Sequence, residues 1–354
     1  MIVVNCRILA APTSGVQRYL LELLPHLHAY MDAPMDGVKE MRPAQAMMGI
    51  RGHLWEQLIL PRQLGQALLW SPASTGPLWV TNQVVTIHDM APLDHPEWFA
   101  RRFSWWYSNV VPRLAKTCRK IITVSEFSKS RILFHCDVPE DKVVVIANGV
   151  SARFTGIEPQ QIHAARQHLH LPHQYVLSVG SIEPRKNLPR LLAAWQRILP
   201  HIPRDVGLVI AGLKGKERVF SNSGALGALP ERVHLTGFVA DDFLPGLYAG
   251  ALAFVYPSYY EGFGLPPLEA MTAGTPVIAG SGSALEEVVG EAGVMVSPFD
   301  EGGMAEAMKN LILDPQLRSQ LIQKGQERAR LFTWQKAAQQ TAILLSSLAN
   351  NSRS

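Results

Sequence analysis

Residues 251–276 read ALAFVYPSYYEGFGLPPLEAMTAGTP. The apolar run Ala251–Tyr256 predicts a strand that is buried on both faces. Gly262 and Gly264 allow backbone conformations and close approaches that a side chain would block. The prolines that follow Leu265 suit the first turn of a helix, where a missing N–H has no cost. The segment therefore predicts a strand, a glycine loop and a helix N-terminus, an arrangement that binds anions through backbone N–H groups and the helix dipole.

Two carboxylates, Glu261 and Glu269, bracket this predicted anion site. A carboxylate is a poor neighbour for a phosphate unless it binds something else. Sugar hydroxyls are the natural partners, with a ribose at one carboxylate and a hexose at the other. The segment thus favours a ligand that contains both phosphate and sugar.

A second segment, GSIEPRKN at residues 180–187, follows the apolar run Tyr175–Gly180. Arg185 and Lys186 lie next to each other at the predicted start of a helix, where the dipole disfavours cations. A bound diphosphate explains this placement, although surface salt bridges are the alternative interpretation. Two cations would also take the place of a divalent metal, and no Asp-rich motif is visible. We therefore expect no cofactor and no metal site.

The fold class follows from buried apolar runs that alternate with helical patterns in both halves of the chain. Such runs, Val/Ile/Leu-rich without strict alternation, are typical of parallel sheets covered by helices. The order predicts an α/β protein with two Rossmann-like, doubly wound domains facing across a cleft. The predicted strands are Ile2–Cys6, Ala67–Ser71, Val84–His88, Lys120–Val124, Val143–Ala147, Tyr175–Gly180, Gly207–Gly212, Arg232–Leu235, Ala251–Tyr256, Pro276–Ala279 and Gly293–Val296.

A domain boundary is expected in the polar stretch between Gly149 and Pro172. The expected domains are residues 1–160, which would bind the acceptor, and residues 172–332, which would bind the donor. A final amphipathic helix over 333–349, with Thr333 as its N-cap, is expected to pack back on the first domain.

Composition excludes several classes of protein. The chain has 354 residues, of which 47% are hydrophobic and 18% charged, so disorder is excluded. The chain contains no run of about 18 apolar residues, so no membrane span is predicted. Three widely spaced cysteines without a CxxC pair favour a reducing cytoplasm over a disulfide framework. The histidines between His163 and His173 lack carboxylate or cysteine neighbours at ligand spacing, and we interpret them as surface residues.

The net charge of +4 is unevenly spread. Between Arg101 and Arg131 there are eight basic residues and one acid, Glu126, together with the aromatic run Trp105–Tyr107. One interpretation is a helix with aromatic side chains in the core and charges in water. The other is a face that rests on anionic lipid at the inner surface of the cytoplasmic membrane. Nucleic acid is not expected, because no nucleic-acid motif accompanies the charge.

The chain resembles a known family at several places. Glu261 and Glu269 have the spacing of the EX7E motif of the retaining glycosyltransferases with the GT-B fold, family four. Segments at 5–7, 13–19, 85–89, 122–128 and 148–150 are similar to further landmarks of that family, so the resemblance spans nearly the whole chain. The chain departs from it at Asn5, where many relatives have Asp, and at Ser181, where many have a basic residue.

The resemblance implies a role for individual residues. Arg185 and Lys186 would hold the donor pyrophosphate, and Glu269 the nucleotide ribose. Glu261 would contact the transferred sugar. His88 would lie near that sugar and would orient or polarise it, although a histidine after a strand is often only structural. The remaining implied contacts are Gly262, Phe263, Gly264 and Leu265 with sugar and phosphate, Phe238 and Val239 with the base, and Gly15 with the donor phosphate or acceptor.

The expected function is a retaining glycosyltransferase that uses a nucleotide-sugar. The EPRKN segment at 183–187 resembles bacterial mannosyltransferases of surface polysaccharide synthesis, which favours GDP-mannose as donor and a glycan or lipid-linked glycan as acceptor. O-antigen and exopolysaccharide are the polymers in question. Two alternatives stay open: a sugar-nucleotide epimerase of related fold, and a non-catalytic partner in a polysaccharide assembly complex.

Overall fold

The computed structural model describes residues 1–10, 15–31, 37–44, 47, 49–213, 219 and 228–350. The chain forms two compact units. The first consists of Met1–Asp94, Ser104–Gly149 and Phe332–Ser354, and the second of His95–Phe103 and Val150–Leu331.

Each unit is built on a parallel sheet, and six strands of each sheet lie within the described residues. The first sheet contains β1 Ile2–Asn5, β2 Val38–Met41, β3 Leu68–Ser71, β4 Gln83–Thr86, β5 Lys120–Thr123 and β6 Val143–Val145. The second contains β7 Gln174–Val179, β8 Val206–Ala211, β9 Val233–Gly237, β10 Ala253–Tyr256, β11 Val277–Gly280 and β12 Val294–Val296.

Helices alternate with these strands. Those in the described residues are α1 Gly15–Met31, α2 Ile50–Leu54, α3 Ala91–Asp94, α4 Arg101–Thr117, α5 Glu126–Cys136, α6 Pro159–His168, α7 Leu188–Ile198, α8 Leu244–Ala249, α9 Leu265–Thr272, α10 Leu285–Val288, α11 Glu301–Leu313, α12 Pro315–Ala329 and α13 Trp334–Asn350. In the described part of the chain, no helix has both the length and the apolar character that a membrane span requires.

The order of the strands in each sheet indicates where a ligand is expected to bind. The first sheet runs β2-β1-β3-β4-β5-β6 and the second β12-β11-β10-β7-β8-β9. In each sheet the chain builds outward from a central strand in one direction and then in the other. The order reverses between β1 and β3 in the first sheet, and between β7 and β10 in the second. Ligands of open parallel sheets bind at such switch points, outside the carboxyl ends of the strands.

The chain passes from the first unit to the second after Gly149, at the start of the polar stretch in which the boundary was expected. Residues 150–160, which were assigned to the first domain, belong to the second unit. The stretch after Gly149 belongs to the second unit because α6 packs against α8. The buried Phe154 ring also meets the edge of Tyr248, with 5.7 Å between ring centroids. Only Ala165 of α6 is buried, so most positions of this helix can be polar. Its sequence therefore resembles that of a linker.

The last helix, α13, packs on α1 of the first unit and also contacts β3. Thr333 caps it, since its Oγ1 accepts a hydrogen bond from the backbone N–H of Lys336 at 3.2 Å. The start of this helix lies directly against Gly149, where an added Cβ would come within 2.1 Å of the Trp334 nitrogen. Gly149 thus allows the close approach that seats the helix.

One strand, β2, is absent from the sequence-based prediction. Its sequence is VKEM, and it pairs with β1. Among the described strands it lies at the edge of its sheet, so Lys39 and Glu40 can reach water while Met41 is buried. An edge strand that is half polar lacks the continuous apolar run on which the prediction rested.

Candidate functional site

The two segments singled out in the second half meet at the switch point of the second sheet. Residues 180–187 follow the carboxyl end of β7, and residues 257–264 follow the carboxyl end of β10. Because β7 and β10 are hydrogen-bonded neighbours, their loops emerge side by side. The backbone N–H of Tyr259 donates to the carbonyl of Arg185 at 2.9 Å, which joins the two loops.

Glu261 forms ion pairs with both predicted pyrophosphate ligands. Its Oε2 accepts a hydrogen bond from Arg185 Nη1 at 2.8 Å, and its Oε1 accepts one from Lys186 Nζ at 2.6 Å. Lys186 Nζ also contacts the hydroxyl of Tyr256, the last residue of β10. Glu261 and Lys186 are 6% and 7% exposed, so both charges are buried and each depends on the other.

A second carboxylate, Glu183, completes this cluster, and sequence reasoning gave it no role. Its Oε1 lies 2.5 Å from Arg185 Nε, and its Oε2 accepts a hydrogen bond from Ser181 Oγ at 3.2 Å. Two cations and two carboxylates therefore meet in one buried cluster, and their formal charges sum to zero. An acid two residues before Arg185 was visible in the sequence, but its pairing depends on the extended backbone at Glu183.

The ion pairs control the ionisation of Glu261. Burial alone would raise the pKa of Glu261, but Arg185 and Lys186 outweigh that effect and lower the pKa to about 2. Burial and the adjacent Arg185 lower the pKa of Lys186, while Glu261 acts in the opposite direction. We regard the pair as ionised because both oxygens of Glu261 receive hydrogen bonds from cations.

The glycine loop leads into α9 as predicted from the two prolines. Gly264 has φ +122°, a conformation that L side chains rarely adopt, and a Cβ there would lie 2.6 Å from Leu285 Cδ2. Pro266 and Pro267 occupy the second and third positions of the helix and carry no N–H. Of the first four amides that a helix leaves without internal partners, those of Gly264 and Leu265 remain. Gly262 and Phe263 precede them in the loop, and Phe263 is buried.

Glu269 lies on α9 and is only 4% exposed. Its Oε2 accepts a hydrogen bond from the hydroxyl of Tyr248 on α8 at 3.0 Å. The two glutamates of the motif thus have different surroundings: Glu261 is held by cations, and Glu269 by a phenol.

The residues assigned to the base, Phe238 and Val239, follow the end of β9. Phe238 is 69% exposed and Val239 is buried. Of this pair, Phe238 is the side chain that a planar ligand could contact.

In the first unit, His88 lies just beyond the carboxyl end of β4. Its Nε2 is 2.8 Å from the carbonyl oxygen of Pro72, which can only accept, so Nε2 carries the proton and Nδ1 is the acceptor. Its backbone N–H donates to Ser74 Oγ at 3.3 Å, and its ring meets the edge of Tyr19 at 4.8 Å. Burial lowers the pKa of His88 to about 4, so the ring is neutral at pH 7.

Gly15 is the first residue of α1 and is exposed. The neighbouring Thr13 and Ser14, which belong to the same predicted loop, lie outside the described residues.

Among the residues that the structure describes, no three His, Cys, Asp or Glu side chains are grouped as metal ligands. His168, from the histidine-rich stretch, stacks on Phe243 with 4.0 Å between ring centroids.

Comparisons with known proteins identify the family. The model described as "Glycosyl transferases group 1" matches residues 161–328, and the model "Glycosyltransferase Family 4" matches residues 62–154. The O-antigen chain mannosyltransferase B of Escherichia coli is 33% identical over 265 residues, which cover 73% of this chain and 68% of that protein. The protein belongs to glycosyltransferase family 4.

Two further similarities refine the comparison. This glycosyltransferase is 28% identical over 274 residues to the serotype-specific mannosyltransferase WbdA of Escherichia coli, covering 75% of this chain and 33% of WbdA. It therefore spans a third of that longer relative. The crystal structure of HepE from Anabaena in complex with UDP and glucose aligns with a TM-score of 0.74 at 21% identity, covering 98% of this chain and 99% of HepE. That similarity shows the fold, which is of the GT-B type.

Proposed function

We propose that this glycosyltransferase transfers mannose from GDP-mannose, with retention of anomeric configuration, to a glycan or lipid-linked glycan of a bacterial surface polysaccharide. The observation that carries the proposal is the pair of adjacent cations, the half-buried Arg185 and the buried Lys186, beside the glycine loop at the switch point of the second sheet. The choice of mannose is supported by relatives named as mannosyltransferases of the O-antigen.

In this proposal Arg185, Lys186 and the amides of Gly264 and Leu265 stabilise the departing diphosphate. Positive charge develops at the anomeric carbon during transfer, and negative charge develops on the leaving phosphate. Hydrogen-bond donors fixed in advance at the leaving group contribute roughly 3–4 kcal/mol each to the transition state. Because cations supply this stabilisation, we propose that no metal ion is needed.

We attribute the retention of anomeric configuration to attack by the acceptor oxygen on the same face of the sugar ring from which the diphosphate departs. A double displacement requires a carboxylate that is free to attack the anomeric carbon. Both oxygens of Glu261 are engaged by cations, and its pKa of about 2 reflects that stabilisation, so Glu261 is a poor nucleophile. In the proposed step, the acceptor oxygen bonds to the anomeric carbon as the bond to phosphate breaks. The acceptor proton passes to the leaving phosphate oxygen.

The other ligands have supporting roles. Glu269 would accept a hydrogen bond from a ribose hydroxyl, and Tyr248 holds its carboxylate in place. Phe238 would lie against the base. His88 is neutral, with Nδ1 as its acceptor, and would orient a hydroxyl of the transferred sugar.

The acceptor is proposed to be presented at the inner face of the cytoplasmic membrane. A polysaccharide that grows on a lipid carrier would bring the enzyme into contact with that surface. The enzyme would then act as a peripheral protein.

A thermal-shift panel tests the donor assignment. GDP and GDP-mannose should raise the melting temperature in the presence of EDTA, and UDP, ADP and their sugars should do so less. A ligand at about 100 times its Kd stabilises the folded state by about 2.7 kcal/mol. A complete loss of stabilisation in EDTA would refute metal independence, and a preference for UDP would refute the GDP assignment.

Product analysis then separates the remaining functions. Incubation with GDP-mannose and a mannoside acceptor should give an α-linked product by NMR. An altered sugar nucleotide formed without acceptor would indicate an epimerase. Tight donor binding without turnover on any acceptor would indicate a non-catalytic assembly partner.

A further inference from the structure

An apolar stripe lies on the surface of the first unit, along the continuous helical segment that begins with α2 and runs to Gln63. Ile50, Leu54 and Leu58 follow at intervals of four residues, and their exposed fractions are 80%, 52% and 54%. Ile59 is 41% exposed beside them. Large aliphatic side chains clustered in this way mark an interaction surface, whereas single exposed ones do not.

The same segment is fixed firmly to the body of its unit. Trp55 and Leu60 are buried in a core cluster with Val3 and Leu69 of the sheet. The stripe is therefore the outer face of an amphipathic helix whose inner face is packed.

Trp79 is an exposed aromatic residue on a loop that is attached to the same helical segment. It is 88% exposed and follows Leu78, whose backbone N–H donates to Gln57 Oε1 at 3.0 Å. Gln57 Nε2 also donates to the carbonyl of Gly76 at 2.8 Å. The side chain of Gln57 thus holds the loop that carries Trp79 against the helical segment. Tryptophan is favoured where a membrane meets water.

The exposed charged side chains of residues 49–82 are all basic. Between residues 49 and 82 the sequence contains one acid, Glu56. That carboxylate is buried, where it accepts from Asn5 Nδ2 at 2.6 Å and lies 3.3 Å from Arg7 Nε. Arg51 and Arg62 are exposed on the same helical segment. The apolar stripe is therefore accompanied by positive charge and by no exposed carboxylate from that stretch.

The basic segment singled out in the sequence has a different character. Lys120 is 3.3 Å from Asp141, and Lys129 is 2.9 Å from Glu140. Arg131 forms an ion pair with Asp94. Acids that follow or precede this segment in the chain compensate much of its charge, which weakens it as a surface for anionic lipid.

We propose that Ile50, Leu54, Leu58, Ile59 and Trp79, with Arg51 and Arg62, form a surface that binds anionic phospholipid. Helices of this type lie in the plane of the interface with the apolar face among the acyl chains and cations at the headgroups. A second copy of the chain fits less well, because a two-fold contact would bring this arginine-bearing surface against itself. The biological role of this surface rests on the proposed function, in which the acceptor is presented at the membrane. The binding of phospholipid by the surface does not depend on that proposal.

The test is co-sedimentation of the full chain with vesicles of phosphatidylcholine and phosphatidylglycerol, or of phosphatidylcholine alone, without donor. Wild type should bind the anionic vesicles more strongly, and salt should weaken that binding. The double variant Leu54→Glu/Leu58→Glu should bind at least about tenfold more weakly, since each leucine buried in an apolar phase corresponds to about tenfold in partitioning. Arg51→Gln/Arg62→Gln should weaken binding to the anionic vesicles and leave binding to phosphatidylcholine unchanged.

The matched control is Leu21→Glu/Ile343→Glu, which makes the same kind of change at side chains of the first unit that are 51% and 64% exposed. This variant should bind vesicles within about twofold of wild type. All variants should keep the wild-type thermal shift with GDP. A failure of the phospholipid-binding proposal can therefore be told apart from a failure of the donor assignment.

Three results would overturn the proposal. One is equal binding of wild type to neutral and anionic vesicles. Another is an equal loss in the two glutamate double variants. The third is a wild-type dimer in sedimentation velocity that Leu54→Glu/Leu58→Glu dissociates, without vesicle binding by wild type.

Discussion

Replacing Glu261 by glutamine removes one charge from a buried cluster and keeps the size of the side chain. The pKa of Glu261 falls from 4.5 to about 2 on folding. A difference of roughly 2.5 units corresponds to about 3 kcal/mol of stability at neutral pH. The same order follows from the structure, because the variant leaves the buried Lys186 without its carboxylate partner, which typically costs about 3–5 kcal/mol.

The dependence on pH has a definite sign. A carboxyl group whose pKa is lower in the folded state contributes its stability above the unfolded value and loses it as the pH falls through the folded value. The difference in unfolding free energy between wild type and Glu261→Gln should therefore be full at pH 7. It should shrink between pH 4.5 and pH 2.

Urea titrations from neutral to acidic pH measure this difference, with Glu291→Gln as the control at an exposed carboxylate. Steady-state transfer assays supply the second readout. The kcat of Glu261→Gln should fall by about two orders of magnitude while the protein stays folded. A stability difference below about 1 kcal/mol, or one that does not change with pH, would show that the ion pairs do not act as described. A near-normal kcat in a folded variant would refute the role of Glu261 in the reaction.

Four further changes test other parts of the site. Lys186→Ala should weaken binding of GDP far more than binding of guanosine, measured by calorimetry, and equal losses would mean that Lys186 does not contact phosphate. Glu269→Gln should mainly raise the donor KM because a ribose contact is present before and during transfer; a fall in kcat alone would contradict this. Wild type should lose about 3 kcal/mol of stability through His88 as the pH falls from 7 to 4, because the unfolded state takes up a proton that burial denies to the folded state, whose His88 pKa is about 4; His88→Asn should abolish this part of the pH dependence, and unchanged pH curves would refute it. Gly264→Ala should lower stability by about 2 kcal/mol through strain and a clash with Leu285, and Gly282→Ala, which has positive φ without the clash, should cost less.

Apolar runs were sufficient to predict eleven of the described strands to within about two residues of the observed bounds. These include β9, which lies at the edge of the second sheet and has no buried residue. The exception is β2, in which Lys39 and Glu40 interrupt the apolar residues. The sequence did not show that residues 150–160 belong to the second unit, because a few contacts in an otherwise polar stretch, such as those of Phe154 and Arg153, attach them to it.

The positions of the site residues were predicted from the sequence, but the ion pairs between them were not. Arg185, Lys186 and Glu261 were assigned to pyrophosphate and sugar, but they bind each other in the structure. Spacing along the chain does not show that residues 75 apart meet at adjacent strand ends. Glu183 was overlooked for the same reason, because its partner is decided by the direction of its side chain and not by its position in the sequence.

These pairings give the spacing of the two glutamates a physical meaning. Glu261 precedes the glycine loop and joins it to the segment after β7 through two cations. Glu269 follows the first turn of α9 and joins the same loop and helix to α8 through Tyr248. The loop is thus fixed at both ends by buried carboxylates, and Gly264 allows the turn between them. A loop held in this way keeps its amides in place before a ligand arrives, which is the preorganisation that electrostatic catalysis requires. The two anchors differ in kind, because Glu261 forms ion pairs with Arg185 and Lys186 whereas Glu269 accepts a hydrogen bond from the Tyr248 hydroxyl.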